Sequence, residues 1–230
     1  MNIKKHIPNF LTSCNLVCGC FGIVYCLEGR VVPAAYFVWA AAVFDFFDGF
    51  AARWLKVNSP IGKELDSLAD MVSFGLLPAL VMYKMLVPVS PVGWLPYVGF
   101  LIAVCAALRL AIFNVDETQS NSFKGLNTPS NTLFITSLPL LTGTASVWLH
   151  QSWLLIFITI IFSWLMVSPI RFFAFKFKNF SWADNKMRFT FIALSVLLVA
   201  IFQVSAIPLI ILLYILSSLV NKAVDPESKS

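Results

Sequence analysis

The chain has 230 residues, 59% hydrophobic and only 12% charged, with a formal net charge of +5. A soluble domain of this length carries roughly twice that charged fraction, and the apolar residues run continuously instead of alternating, which excludes a soluble globule and a transmembrane β-barrel. What remains is an all-α, polytopic helical membrane protein; its positive balance reads as the cytoplasmic bias of Lys and Arg, not as a nucleic-acid surface, because the basic residues are not interleaved with aromatics on a polar face.

A membrane span takes about 20 mainly apolar residues. On that ruler about eight segments qualify, near residues 9–28, 32–53, 67–88, 93–114, 130–149, 152–174, 188–204 and 206–221. The first opens after Met1-Asn2-Ile3-Lys4-Lys5-His6 without a cleavable leader pattern and is expected to be retained. Its cysteines, Cys14, Cys18, Cys20 and Cys26, have no nearby histidine and read, with Cys105, as small packing residues. The second and third segments are joined through Asn58-Ser59-Pro60, a turn signal that lets the helices return antiparallel. The last two are separated only by Gln203–Pro208, with Pro208 suited to the first turn of the final helix. Trp148 and Trp153 read as interfacial anchors, and Phe172, Phe173 and Phe175 as lipid contacts.

Loop charges orient the bundle. Lys4, Lys5, Arg53, Lys56, Lys63, Lys124, Arg171, Lys176, Lys178, Lys186, Arg188, Lys222 and Lys229 fall on one side of an eight-helix arrangement; the other side holds Arg30 and little else, with Lys84 late in the third helix. This asymmetry predicts an integral protein of the inner membrane with both termini cytoplasmic. No internal repeat, low-complexity stretch or linker interrupts residues 1–230, so one membrane domain is expected, with a polar tail after Val224 that frays.

Four of the 11 acidic residues sit at or between apolar runs: Asp45 and Asp48 in the second segment, Asp66 and Asp70 at the start of the third. Residues three and four apart share a helix face, which puts Asp45, Asp48, Gly49 and Ala52 on one stripe and Asp66 and Asp70 on another. Ionised carboxylates at membrane depth are costly unless paired, solvated or bound to a cation. Two such pairs facing each other suit hard divalent ions, Mg²⁺ or Mn²⁺, which bring phosphate oxygens as further ligands. Gly49 and Ala52 leave room beside the acids, and Arg53 offers a planar fork to a diphosphate. The chemistry indicated is metal-dependent phosphoryl or phosphatidyl transfer at the cytoplasmic mouth of the bundle. Helix-dipole compensation explains Asp66 and Asp70 taken alone, but not Asp45 and Asp48, which lie well inside an apolar run.

The spacing Asp45-x2-Asp48-Gly49-x2-Ala52-Arg53-x8-Gly62-x3-Asp66-x3-Asp70 resembles the signature of the CDP-alcohol phosphatidyltransferases at all eight fixed positions. The resemblance implies a six-helix catalytic core (residues 6–175 here, followed by an accessory helical pair over 187–222), a homodimer, and transfer of a phosphatidyl-type group from a CDP-linked lipid to an alcohol with release of CMP. It also implies roles. Asp45, Asp48 and Asp66 would hold two divalent cations; Asp70 would complete that shell and take the proton from the attacking hydroxyl. Gly49, Ala52 and Gly62 would make room for the cytidine nucleotide, and Arg53 would contact its phosphates. Asn9 and Thr12 could reach the nucleotide from the first helix, although capping explains them nearly as well.

Beyond the signature itself, His6 to Gly19, Lys63 to Gly75, Arg109 to Val115 and Met166 to Ser168 resemble bacterial phosphatidylserine synthases. The implied substrates are CDP-diacylglycerol and L-serine. A serine site needs a fixed cation for the carboxylate, with Arg109 first and Lys124 second; snorkelling or a lipid-facing position are the plain alternatives. The chain departs from this group where Ile112 replaces a commonly basic residue, and where Asn127 replaces the first proline of Gly-Leu-Pro-x-Pro, a loss expected to loosen that loop. Three other readings compete: a sister enzyme taking glycerol 3-phosphate or inositol, which would want more clustered basic residues; an ion-coupled transporter, for which no twofold repeat is present; and a non-catalytic scaffold, which gives no reason for the aspartate spacing. His6 and His150 are too isolated to act together.

Overall fold

The computed structural model describes residues 6–57, 59–116, 123–172 and 182–224, with the side chains of 123, 144, 145, 182–188 and 220–224 excepted. Lys4, Lys5, Asn58, Phe173, Phe175, Lys176, Lys178, the tail beyond Val224 and the side chains of Lys186, Arg188 and Lys222 therefore lie outside the described residues. The chain runs α1 (His6–Leu27), α2 (Val31–Leu55), α3 (Pro60–Leu86), α4 (Leu95–Val115), β1 (Phe123–Lys124), α5 (Thr128–Ser137), α6 (Thr144–Trp148), α7 (Ser152–Val167), β2 (Arg171–Phe172), α8 (Trp182–Phe202) and α9 (Ala206–Val224). It is a helical membrane protein. Among the described residues, α1 to α4 and the stretch Phe189–Leu219 are long and apolar enough to cross a bilayer, and α7 is a shorter apolar helix.

All eight expected segments coincide with helical stretches, but several boundaries move. The third helix begins at Pro60, not near 67. Ser59 caps it by accepting from the Gly62 amide (3.2 Å), and Pro60 occupies the first turn. Its first two turns are too polar for a hydropathy ruler, so Asp66 and Asp70 are interior helical residues and not first-turn acids. The fifth segment is broken: α5 passes through a 3₁₀ turn at Leu138–Leu140, and Gly143 (φ +67°) separates it from the short α6. Pro139 is the sequence cause. The sixth segment's helix, α7, stops at Val167 because Pro169 holds Ser168 extended (ψ 152°). The chain then forms β2, which pairs antiparallel with β1. That two-residue ribbon was not expected from sequence.

Helix α1 explains how the acids are approached. Its buried residues are Pro8, Thr12, Asn15, Gly19, Gly22 and Cys26. Their spacing alternates between four and three, the seam of a helix that packs along its whole length. The seam meets small residues of α2, with Ala34, Ala35, Val38 and Ala41 fully buried. Close backbone approach through small residues is how helices associate where lipid removes the hydrophobic drive between them.

Helix α3 changes pitch between Met71 and Leu76, where it forms a π-turn. Pro78 supplies the reason: it lacks the N–H that the Phe74 carbonyl would accept from, and its ring crowds that carbonyl. Thr132 Oγ1 of α5 donates to the Phe74 carbonyl instead (2.7 Å).

A core of Met82, Leu86, Ile102, Phe134, Ile135, Leu155, Phe162 and Met166 joins α3, α4, α5 and α7. Helix α9 closes onto α5 and β2, with Tyr214 against the Phe172 ring (5.8 Å between centroids), so Phe172 is a buried core residue and not the expected lipid contact. Trp148 and Trp153 are both well exposed. The five cysteines are free.

Candidate active site

Helix α2 brings Asp45 and Asp48 to the same side as Asp66 of α3. Single carboxylate oxygens of the three all lie within 4.8 Å of one another. Asp48 is 6% exposed, and Asp66 Oδ1 is buried with no hydrogen-bond partner. At about 4.8 Å and an effective dielectric near 20, each like-charged pair costs about 3.5 kcal/mol. The arrangement therefore fits a divalent cation: three carboxylates offer hard oxygen donors close together, and Asp66 carries a buried oxygen without a partner.

Asp70 is not in that group of three. It lies one helical turn beyond Asp66, is 8% exposed, and accepts at Oδ1 from Asn15 Nδ2 (3.2 Å). Thr12 performs the equivalent contact lower on α1, donating from Oγ1 to Asp48 Oδ2 (2.6 Å). Helix α1 thus supplies a donor to one acid on each of the two opposing helices.

Beside the three acids runs a cleft of about 240 Å³ lined by Asn9, Thr12, Asp48, Gly49, Ala52, Gly62, Lys63 and Asp66 among others. Five residues expected to meet the nucleotide, Asn9, Thr12, Gly49, Ala52 and Gly62, thus share one wall with Asp48 and Asp66. The glycines have distinct reasons. A Cβ on Gly49 would meet nothing within 4 Å, so the missing side chain leaves open space in the cleft. A Cβ on Gly62 would lie 2.9 Å from Asn9 Oδ1, so there glycine permits helix contact. Arg53 is exposed at the edge, its Nε donating to the Gly49 carbonyl (3.0 Å).

Sequence reasoning gave no role to Lys63, which lines the cleft and donates from Nζ to the Asn114 carbonyl at the end of α4 (3.0 Å). It gave none to Asn15 either. The available signal was its place on the Thr12 face of an otherwise apolar helix.

Arg109 and Lys124 line a second cavity of about 230 Å³, together with Ile112, Phe113, Met166, Val167, Ser168 and Pro169. Arg109 is 8% exposed, its Nε is buried without a partner, its guanidinium lies 5.9 Å from the Phe113 ring centre, and it stands within electrostatic range of Asp70. Lys124 is half-exposed and ion-paired with Asp116 (3.2 Å). Ile112 gives this cavity an apolar wall. The neighbouring loop is tied down despite the missing proline: Gly125 N donates to the Ile170 carbonyl (2.8 Å), Leu126 N to the Leu165 carbonyl (2.9 Å), and Asn127 caps α5 by accepting from Ser130 N (2.9 Å).

Arg53, Lys63, Lys124 and Arg171 all lie at one end of the bundle, the end that also holds the acids, whereas Arg30 and Lys84 lie at the other, where Lys84 Nζ donates to the Leu27 carbonyl (3.0 Å).

The family model for CDP-alcohol phosphatidyltransferases matches residues 5–164. The chain belongs to that family. It is 35% identical over 176 residues to a CDP-diacylglycerol–serine O-phosphatidyltransferase of Bacillus subtilis (strain 168), covering 75% of this chain and 92% of the relative. A protein of the same description from Mycobacterium tuberculosis is 37% identical over 172 residues, covering 71% of this chain and 59% of the longer relative. An archaetidylserine synthase of Methanothermobacter thermautotrophicus is 33% identical over 180 residues, covering 75% and 73%.

Proposed function

We propose that this chain transfers the phosphatidyl group of CDP-diacylglycerol to the hydroxyl of L-serine, giving phosphatidylserine and CMP. The observation that carries the reading is the convergence of Asp45, Asp48 and Asp66 beside a cleft where Gly49 has no side chain. The serine assignment is supported by what the similar proteins are called and by a buried guanidinium lining a separate cavity near Asp70.

In this reading Asp45, Asp48 and Asp66 would hold two divalent cations, Mg²⁺ or Mn²⁺, and Asp70 would complete their shell. Bound there, the cations supply Lewis-acid stabilisation of charge on the diphosphate and its leaving group. Asn9, Thr12, Gly49, Ala52 and Gly62 receive the nucleotide, and Arg53 swings from its own helix to the phosphates. Serine enters by the second cavity, its carboxylate on Arg109 and Lys124. Its hydroxyl oxygen forms a bond to the lipid-side phosphorus while the bond from that phosphorus to the bridging oxygen breaks; the bridging oxygen leaves on CMP. The hydroxyl proton passes to Asp70.

The same reading takes residues 6–175 as the catalytic core and 187–222 as an accessory pair, in keeping with a family match that ends at residue 164. It puts the acid-bearing end and both termini in the cytoplasm, on the strength of the charge asymmetry, with the lipid tails in the bilayer and the protein a homodimer as the family resemblance implies. Crosslinking in nanodiscs tests the last point.

The activity is tested with purified protein, labelled serine, CDP-diacylglycerol and Mn²⁺ or Mg²⁺. Labelled phosphatidylserine and an equal amount of CMP are expected. Labelled product from glycerol 3-phosphate or inositol, and none from serine, would reject the acceptor and keep the family chemistry. Asp70→Asn is expected to lower metal-dependent CMP release by roughly a hundredfold or more, the range of a lost general base; a transporter would release no CMP in either form.

A further inference from the structure

We propose that Asn15 is a positioning residue for Asp70, and that Ser73 and Gly19 complete the clasp that holds it. The proposal rests on the reading of Asp70 as the base. Asn15 is fully buried and binds α3 at two points one turn apart. Its side-chain Nδ2 donates to Asp70 Oδ1 (3.2 Å), and its backbone carbonyl accepts from Ser73 Oγ (3.0 Å). Asp70 and Ser73 share a face by their three-residue spacing, so α1 grips the base and the turn behind it together.

Gly19 is required for that grip. A Cβ there would run into Ser73 Oγ and stand only 3.1 Å from Ser73 Cα. Backbone atoms cannot yield as a flexible side chain can, so alanine at this position would push α1 and α3 apart beside Asp70.

The other side of the same segment is fixed as well. Ser73 and Phe74 lie in the π-turn, and the Phe74 carbonyl, which Pro78 deprives of its helical donor, accepts from the fully buried Thr132. The segment that follows Asp70 is therefore clamped between α1 and α5. The Asn15 amide holds the Asp70 carboxylate at Oδ1, so the direction from which that carboxylate can receive the acceptor's proton is set by α1.

Steady-state kinetics on the full-length protein in nanodiscs, with a double-mutant cycle, tests the idea. Asn15→Ala is expected to lower kcat roughly 10- to 100-fold, the usual cost of losing a residue that orients a reacting group, with both KM values within about threefold of the parent. Gly19→Ala and Ser73→Ala should shift kcat in the same direction and carry the test if Asn15→Ala does not fold. The decisive arm is the Asp70→Asn background: there Asn15→Ala should cost nothing further, because the group it orients is already gone. A full multiplicative loss in that background, or raised KM values with kcat intact, would overturn the proposal and leave Asn15 as helix packing. Turnover retained by Asp70→Asn alone would instead overturn the reading of Asp70, and the positioning role with it.

Discussion

The acidic cleft of α1 to α3 and the Arg109 cavity between α4, β1 and α7 have nearly equal volumes, about 240 and 230 Å³, but opposite charge and opposite construction. The cleft is made from three consecutive helices. Its acids are brought together by helical periodicity and one tight connection, so the groups that matter lie within 59 to 70 and 45 to 53 of the chain. The cavity is assembled from residues 109 to 169 across three breaks in regular structure: the end of α4, the β1–β2 ribbon and the extended Ser168-Pro169. The cleft's ionised carboxylates would repel one another, and a divalent cation would relieve that repulsion. The cavity's buried guanidinium lacks an anion at Nε. The acids are thus held by local helical geometry, whereas the Arg109 cavity depends on chain segments that long-range pairing brings together.

The strongest way to break this contrast is to remove one of the converging acids. Asp66→Asn is expected to lower turnover by at least about a hundredfold, in line with losing charge stabilisation at a phosphoryl-type centre. Its stability signature separates a metal site from plain packing. Without divalent cation, the variant should melt no lower than the parent, because a like-charged contact within 4.8 Å has been relieved. With Mn²⁺ at 100 times its dissociation constant the parent should gain about 2.7 kcal/mol, and the variant should not. Equal Mn²⁺ shifts in both proteins would remove the cation from the account.

The other side of the comparison is sharpened by Arg109→Lys. The charge survives but the planar donor fork does not. Serine KM is expected to rise roughly tenfold, about 1.4 kcal/mol, with the KM for CDP-diacylglycerol unchanged. A rise in both, with a lower melting temperature, would make Arg109 a structural residue of the core. Lys124→Met should act more weakly, by about threefold or less, because the Lys124–Asp116 pair is partly exposed and screened.

The same contrast explains what the sequence could and could not reveal. Helix periodicity is a local property, so Asp45, Asp48 and Asp66 could be put on facing stripes from spacing alone; Gly49, Ala52 and Gly62 were named by the family pattern, while Asn9 and Thr12, which also line the cleft, were open to a capping role as well. The start of α3 was missed because a hydropathy ruler discards polar turns that Ser59 and Pro60 nonetheless make helical. The ribbon between β1 and β2 was invisible because two-residue strands carry no periodicity; long-range pairing alone creates it. Asn15 fell in between. A polar residue in an apolar helix is a local signal, but its partner 55 positions away is not.

Gly49 gives the smallest and most discriminating test, because stability and activity should move in opposite directions. It lies inside α2, where glycine costs roughly 0.5–1 kcal/mol relative to alanine through lost backbone freedom. Nothing lies within 4 Å of where its Cβ would sit, so Gly49→Ala meets no clash. The variant should therefore melt about 1–4 °C higher, the shift that such a gain produces in a chain of this size. The added methyl occupies the open side of the cleft next to Asp48, so the KM for CDP-diacylglycerol should rise while serine KM stays put. Gly49→Val should enlarge the activity loss and cancel the stability gain, since β-branching lowers helix propensity. If Gly49→Ala is more stable with unchanged KM for the nucleotide lipid, the open space beside Asp48 is not where the nucleotide lies, and the cleft loses its assigned ligand while the acidic cluster keeps its own.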